Sequence, residues 1–151
     1  MDRSDYVNLV ENRYFGSVTA AELDAVCACF TADAVITILH GDNPPRIFKA
    51  SPAAGEAPMR DFWAHLCANF HGRFTQFEHF IDVDAGRCAA TFTVTLSPKP
   101  ESAYAARGVL TLRNCNFFWI RGDRIERMTV YYANPDSAGA GAGKPTGYPP
   151  T

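Results

Sequence analysis

Two asparagines sit in a row where apolar residues are expected. Between Val109 and Ile120, the residues Leu110, Leu112, Asn114, Asn116, Phe118 and Ile120 alternate with Val109, Thr111, Arg113, Cys115, Phe117 and Trp119. A period of two is that of a β-strand, so the first set shares one face. A carboxamide in such a row must find a partner or lose about 1–3 kcal/mol. Two readings stand: core amides bonded to nearby backbone, or a pocket wall with polar groups aimed at a ligand. In the second reading the chemistry is hydrogen bonding, because an amide donates and accepts without titrating. The titratable candidates are four histidines, His40, His65, His71 and His79. No two have the i, i+4 spacing of a helical metal pair, and none lies at a zinc-like distance from a cysteine, so no metal site is expected. His65 and His71 read as surface positions. His79 shares parity with Phe77 and Ile81, and its face is open. The chain has no Gly-x-Gly-x-x-Gly and no phosphate loop, so no cofactor is expected.

Bulk properties narrow the partners. The 151 residues suit one domain with a real core. A net charge of −2 argues against a nucleic-acid or anionic-membrane surface, since both need a basic face. No apolar run approaches the ~20 residues that span a bilayer. The polar start, Met1-Asp2-Arg3-Ser4-Asp5, leads into a helical pattern and reads as no signal peptide. The five cysteines are odd in number and form no Cys-x-x-Cys. Reduced thiols in a cytoplasmic protein are the natural expectation.

The elements that would position the asparagines follow from periodicity. Residues 4–15 carry Val7, Leu9, Val10 and Tyr14 at helical spacing. Thr19 and Glu22 have capping-box spacing and would open a second helix with Leu23, Val26, Cys27 and Phe30 on one face. Residues 34–39 read as a strand, 41–45 as a turn and 46–49 as a short strand. Pro58 fits the first turn of a third helix, whose stripe is Met59, Phe62, Trp63, Leu66, Cys67 and Phe70. Strands are expected at 74–84 and 87–96, then a hairpin around Arg121-Gly122-Asp123-Arg124 that reaches residue 134. This predicts an α+β domain over 1–134: a cone-shaped, curved antiparallel sheet with three N-terminal helices on its concave face. Residues 135–151, rich in Pro, Gly and Ala, read as a C-terminal tail.

The order of several short motifs carries a resemblance. They are Arg13-Tyr14, the run Cys29-Phe30-Thr31-Ala32-Asp33-Ala34, the segment from Gly55 to Trp63, and the hairpin from Asn116 to Tyr132. Together they make the chain similar to the nuclear transport factor 2-like superfamily, in its ketosteroid isomerase and SnoaL-like branches. In the isomerases, a first-helix tyrosine and a late-strand protonated aspartate donate hydrogen bonds to a developing enolate; ketosteroid isomerase is a standard worked case of such a neutral acid. The resemblance places the tyrosine at Tyr14 and the acid at Asn116, which can donate without pKa tuning. It places the general base at Ile38, which cannot move a proton. The supporting tyrosines fall on Phe30 and Trp63, of which only Trp63 keeps a polar hydrogen. The usual steroid-isomerase mechanism is therefore not expected.

Two residues beyond Ile38, His40 shares its strand row with Ile36 and Ile38 and is the candidate base at the cone's mouth. The alternative for His40 is a solvated histidine at the strand end. The expected site combines Tyr14, His40 and Asn116 with a ligand-binding lining of Ile36, Ile38, Trp63, Asn114, Phe118, Met128, Val130 and Tyr132. The resemblance implies a cofactor-independent isomerase, cyclase or dehydratase-type lyase acting on an apolar carbonyl or polyketide-like small molecule. Its alternative is a non-catalytic ligand-binding or association module. Phe117 and Trp119, on the outer face of the sheet, predict a homodimer through that face.

Overall fold

A computed structural model describes residues 1–41 and 43–132. The tail expected at 135–151 lies outside the described residues, as does the far end of the final hairpin.

The first helix, α1, spans residues 3–19. Asp2 caps it, accepting from the Asp5 backbone N–H while the Asp5 side chain accepts from that of Asp2. From Asn8 to Phe15 the helix is π-helical, with i→i+5 bonds, such as Gly16 N–H to Glu11 C=O. This spacing stacks Leu9 over Tyr14 and Val10 over Phe15, all buried. The helix then continues through Thr19, which corrects the expected capping box. Thr19 is still helical, the chain turns at Ala21 with φ 56°, and Glu22 flanks α2 (Leu23–Ala28) without a side-chain cap bond. Phe30 begins strand β1 (Phe30–His40) rather than ending α2.

Strand β2 is Arg46–Lys49 and β3 is Ala57–Pro58. Pro58 lies just before α3 (Met59–Asn69), in extended geometry at the cap. Strands β4 (Phe70–Asp82), β5 (Arg87–Pro98), β6 (Leu110–Arg121) and β7 (Arg124–Tyr132) form an antiparallel meander. A short 3₁₀ turn, Ala105–Arg107, precedes β6. All seven strands join one curved, unclosed sheet in the order β3-β2-β1-β7-β6-β5-β4.

Two pairings, β1 with β7 and β2 with β3, are parallel. No tight turn links β1 to β7, so their direction is set by packing rather than by a hairpin. A bulge in β4 helps to bend the meander. Thr75 pairs with Thr93 and Glu78 with Thr91, so β4 spends one residue more than β5, and Gln76 sits at φ 58°. The bulge reverses parity. Phe74 packs on Phe15 and Phe92 before it, and Phe77 packs on the same two rings after it.

The core lies between the helices and the inner face of the sheet. Tyr14 meets Phe118, and Phe62 meets Phe48. No helix among the described residues is long and apolar enough to cross a membrane.

Candidate functional site

The π-helical segment carries Tyr14 into the core. There the phenol ring lies 4.6–6.1 Å, centroid to centroid, from Phe15, Phe30, Trp63 and Phe118. Edge-on packing on several sides fixes the ring. The Trp63 indole Nε1–H, from α3, donates to the Tyr14 Oη at 3.1 Å. The phenol is the acceptor in this bond, which turns its own proton toward a different direction.

Strand β6 brings the asparagines in from the opposite side. Asn114 stands between Phe92 and Tyr132 in the ladder, and Asn116 between Ala90 and Val130. They are 6% and 2% exposed. The Asn116 Nδ2 donates to the Met128 Sδ at 3.7 Å. A thioether has lone pairs and no proton, so only the amino end of the amide can face it productively. The Oδ1 atoms of both asparagines are buried without a hydrogen-bond partner.

These groups border one cavity of about 30 Å³, room for one or two waters. Of the residues expected from sequence, Tyr14, Trp63, Asn114, Asn116, Val130 and Tyr132 line it. Ile36, Ile38, Phe118 and Met128 are buried in the surrounding core and do not line it. His40 is 4% exposed, on the row of Ile36 and Ile38. Its ring lies 5.0 Å from that of Tyr132, which lines the cavity while His40 does not.

The remaining walls are Phe15 and Val18 from α1, Phe62 and Leu66 from α3, Phe74 from β4, Phe92, Val94 and Leu96 from β5, and Leu112 from β6. Sequence reasoning placed none of these nine at the site. Periodicity separates inside from outside and does not show where the inside is hollow.

The other histidines lie elsewhere. His79 faces α1, where its Nε2 meets the Glu11 carboxylate at 2.6 Å and its ring stacks on Phe77. His65 is half-buried with its Nε2 3.4 Å from the Tyr104 hydroxyl, and desolvation followed by the nearby Arg46 holds its pKa below the usual value. Burial raises the thiol pKa of every cysteine, that of Cys88 to about 12. Protonated thiols are poor nucleophiles and poor metal ligands. Among the described residues, no group of three His, Cys, Asp or Glu side chains could hold a metal ion.

A SnoaL-like domain model matches residues 12–128, most of the chain. The chain belongs to the SnoaL-like family. Solved structures agree on the fold. A candidate polyketide cyclase from Silicibacter is 26% identical, with a TM-score of 0.60 over 80% of this chain and 83% of that one. Another, from Pseudomonas putida, is 24% identical, with a TM-score of 0.63 over 82% and 88%. A candidate isomerase from Bacillus subtilis is 13% identical, with a TM-score of 0.69 over 87% and 89%. The resemblance stated from the sequence is thus shown, and the fold is of the cyclase and isomerase type. No match was found among curated proteins.

Proposed function

We propose that the cavity is an active site for proton transfer on an apolar carbonyl or polyketide-like small molecule, in an isomerase, cyclase or dehydratase reaction. One observation carries this reading. A phenol held by an indole N–H and two buried amides border a single cavity whose other walls are apolar. The cyclase and isomerase descriptions of the structural relatives point the same way.

Tyr14 suits the role of donor to a carbonyl oxygen that gains charge. A hydroxyl that accepts a hydrogen bond donates its own more strongly, and a donor fixed in advance costs no reorganisation. His40 is the proposed base. An imidazole can take up a proton where the isoleucines of the same row cannot, and Tyr132, whose ring it meets, lines the cavity while His40 does not, so it works through that phenol or after that ring moves aside.

A second reading, a binding or association module, is favoured by the small volume of the cavity. We propose in either case that the outer sheet face pairs with a second copy of this chain. Phe117 and Tyr131 are exposed there. Phe80 of β4 is exposed on the same face, whose charges are mixed, with Asp82 of β4 paired to Arg87 of β5. A two-fold axis would set these exposed rings against those of the partner.

The deciding experiment is exchange of α-protons for deuterium. Cyclic and polyketide-like ketones are incubated in D₂O with the protein and followed by ¹H NMR. Catalysed exchange that falls at least tenfold in Tyr14→Phe and at least tenfold in His40→Ala is expected. Full exchange in His40→Ala would remove that residue from the mechanism. No exchange with any ketone would favour the binding module.

A further inference from the structure

The atoms that lack partners around the cavity are both acceptors. The Oδ1 of Asn114 and the Oδ1 of Asn116 are each buried beyond nine-tenths, and neither receives a hydrogen bond. The Asn116 orientation is anchored by chemistry, because the Met128 sulfur at 3.7 Å can accept from the amino group and can offer nothing to the carbonyl oxygen. A buried acceptor without a donor loses about 1–3 kcal/mol. Two on one strand face is a cost that leucine at either position would avoid. Neighbouring backbone does not satisfy them, which was the alternative reading of these amides as ordinary core groups.

The pair is also spaced. Asn114 and Asn116 are two residues apart on β6, so their Cα atoms lie about 6–7 Å from one another along the strand. Tyr14 approaches the same cavity from α1, on the far side of the core. The cavity therefore has an acceptor wall on β6 and a phenol on the helix side.

We propose that Asn114 and Asn116 are specificity-determining residues that select a ligand bringing hydroxyl or enol hydrogens to the β6 wall. The ligand class is a hydroxylated carbonyl compound, its carbonyl toward Tyr14 and its donors toward the asparagines; the cavity of about 30 Å³ must widen to admit it, so the apolar walls part on binding. A ketone or ether with only acceptor oxygens at that wall is disfavoured, because it faces two carboxamide oxygens with lone pairs and leaves both unsatisfied. Discrimination of this kind is strong because a site built to receive a donor penalises an analogue that lacks one. This inference rests on the reading of the cavity as the ligand site, and the experiment separates the two.

The protein is labelled with ¹⁵N and titrated with phenol, anisole and cyclohexanone, following the Trp63 indole N–H and the Asn114 and Asn116 side-chain amides. Partition out of water favours anisole over phenol, so a preference for phenol reports the donor. Phenol is expected to bind about threefold to tenfold more tightly than anisole or cyclohexanone, the worth of one neutral hydrogen bond. In Asn114→Leu and Asn116→Leu that preference shrinks, and in the double variant it disappears while anisole still binds. Equal or weaker binding of phenol in the wild type would overturn the donor preference and leave the cavity as a ligand site. Failure of all three probes to shift the Trp63 resonance would overturn the ligand site and this inference with it. The wild-type series decides the matter even if a leucine variant does not fold.

Discussion

Strand β6 has two faces made from adjacent residues, and they solve different problems. Inward, Leu112, Asn114, Asn116 and Phe118 are all buried, and the two amides are held beside a narrow cavity. Outward, Phe117 is 40% exposed, its ring 5.7 Å from Tyr131 and 6.4 Å from Trp119, while the Arg127 guanidinium lies 3.8 Å from the centre of the Trp119 ring. Polarity thus runs against simple expectation. The inner face carries polar groups without partners, and the outer face carries aromatics that a monomer leaves in water. Each departure costs stability in isolation. Groups that weaken a fold where they stand are where function is to be sought.

The sharpest way to break this contrast is to truncate neighbours on opposite faces. Phe118 is fully buried against Tyr14, so Phe118→Ala should cost about 3–5 kcal/mol. Phe117→Ser, one residue away, should change monomer stability by less than about 1 kcal/mol, and by the proposed dimer it should weaken self-association. Urea denaturation and sedimentation velocity read the two effects. Equal stability losses would erase the distinction between the faces.

A smaller effect with opposite sign tests the inner amides. Asn116→Leu removes an unpartnered oxygen and gives up only a weak bond to sulfur. The folded state should be unchanged or more stable by up to about 1 kcal/mol, while any proton-transfer activity falls. A loss above about 2 kcal/mol in thermal unfolding would mean that the amide is an ordinary structural group.

The smallest difference is chemical. Cys88 is inward and its thiol is pushed up to about 12 by burial, whereas Cys115 is half-buried on the outer face. At pH 8 only about one Cys88 in ten thousand is thiolate. Mass-resolved alkylation of the folded protein should therefore modify Cys115 well before Cys88, and urea should remove the difference. Prompt labelling of Cys88 would show that the inner face opens to solvent.

Much of this was legible beforehand, and the failures are instructive. The alternation along β6 gave its faces correctly, because adjacent side chains on a strand must point oppositely. The parity of His79 with Phe77 and Ile81 was readable but its face was not, because the bulge at Gln76 adds a residue and inverts everything beyond it. Thr19 and Glu22 had the spacing of a capping box, yet the first helix runs through Thr19. A local motif yields where continued helix buries Val18 in the core. The site shows the same division. Tyr14, Trp63, Asn114 and Asn116 were named from the chain and line one cavity, whereas Phe118, Ile36, Ile38 and Met128, named with them, are filled core.

The amino-acid order alone determined the elements, the inward and outward rows, the family resemblance and the presence of amides among apolar neighbours. These follow from local periodicity and residue chemistry, which a chain carries wherever it goes. Only the tertiary structure decided that the first helix is π-helical at Tyr14, that β1 runs parallel to β7, and that the asparagine oxygens have no partner. Those outcomes depend on which surfaces meet across roughly ninety residues of chain or more, and packing at such contacts is set by the whole core at once.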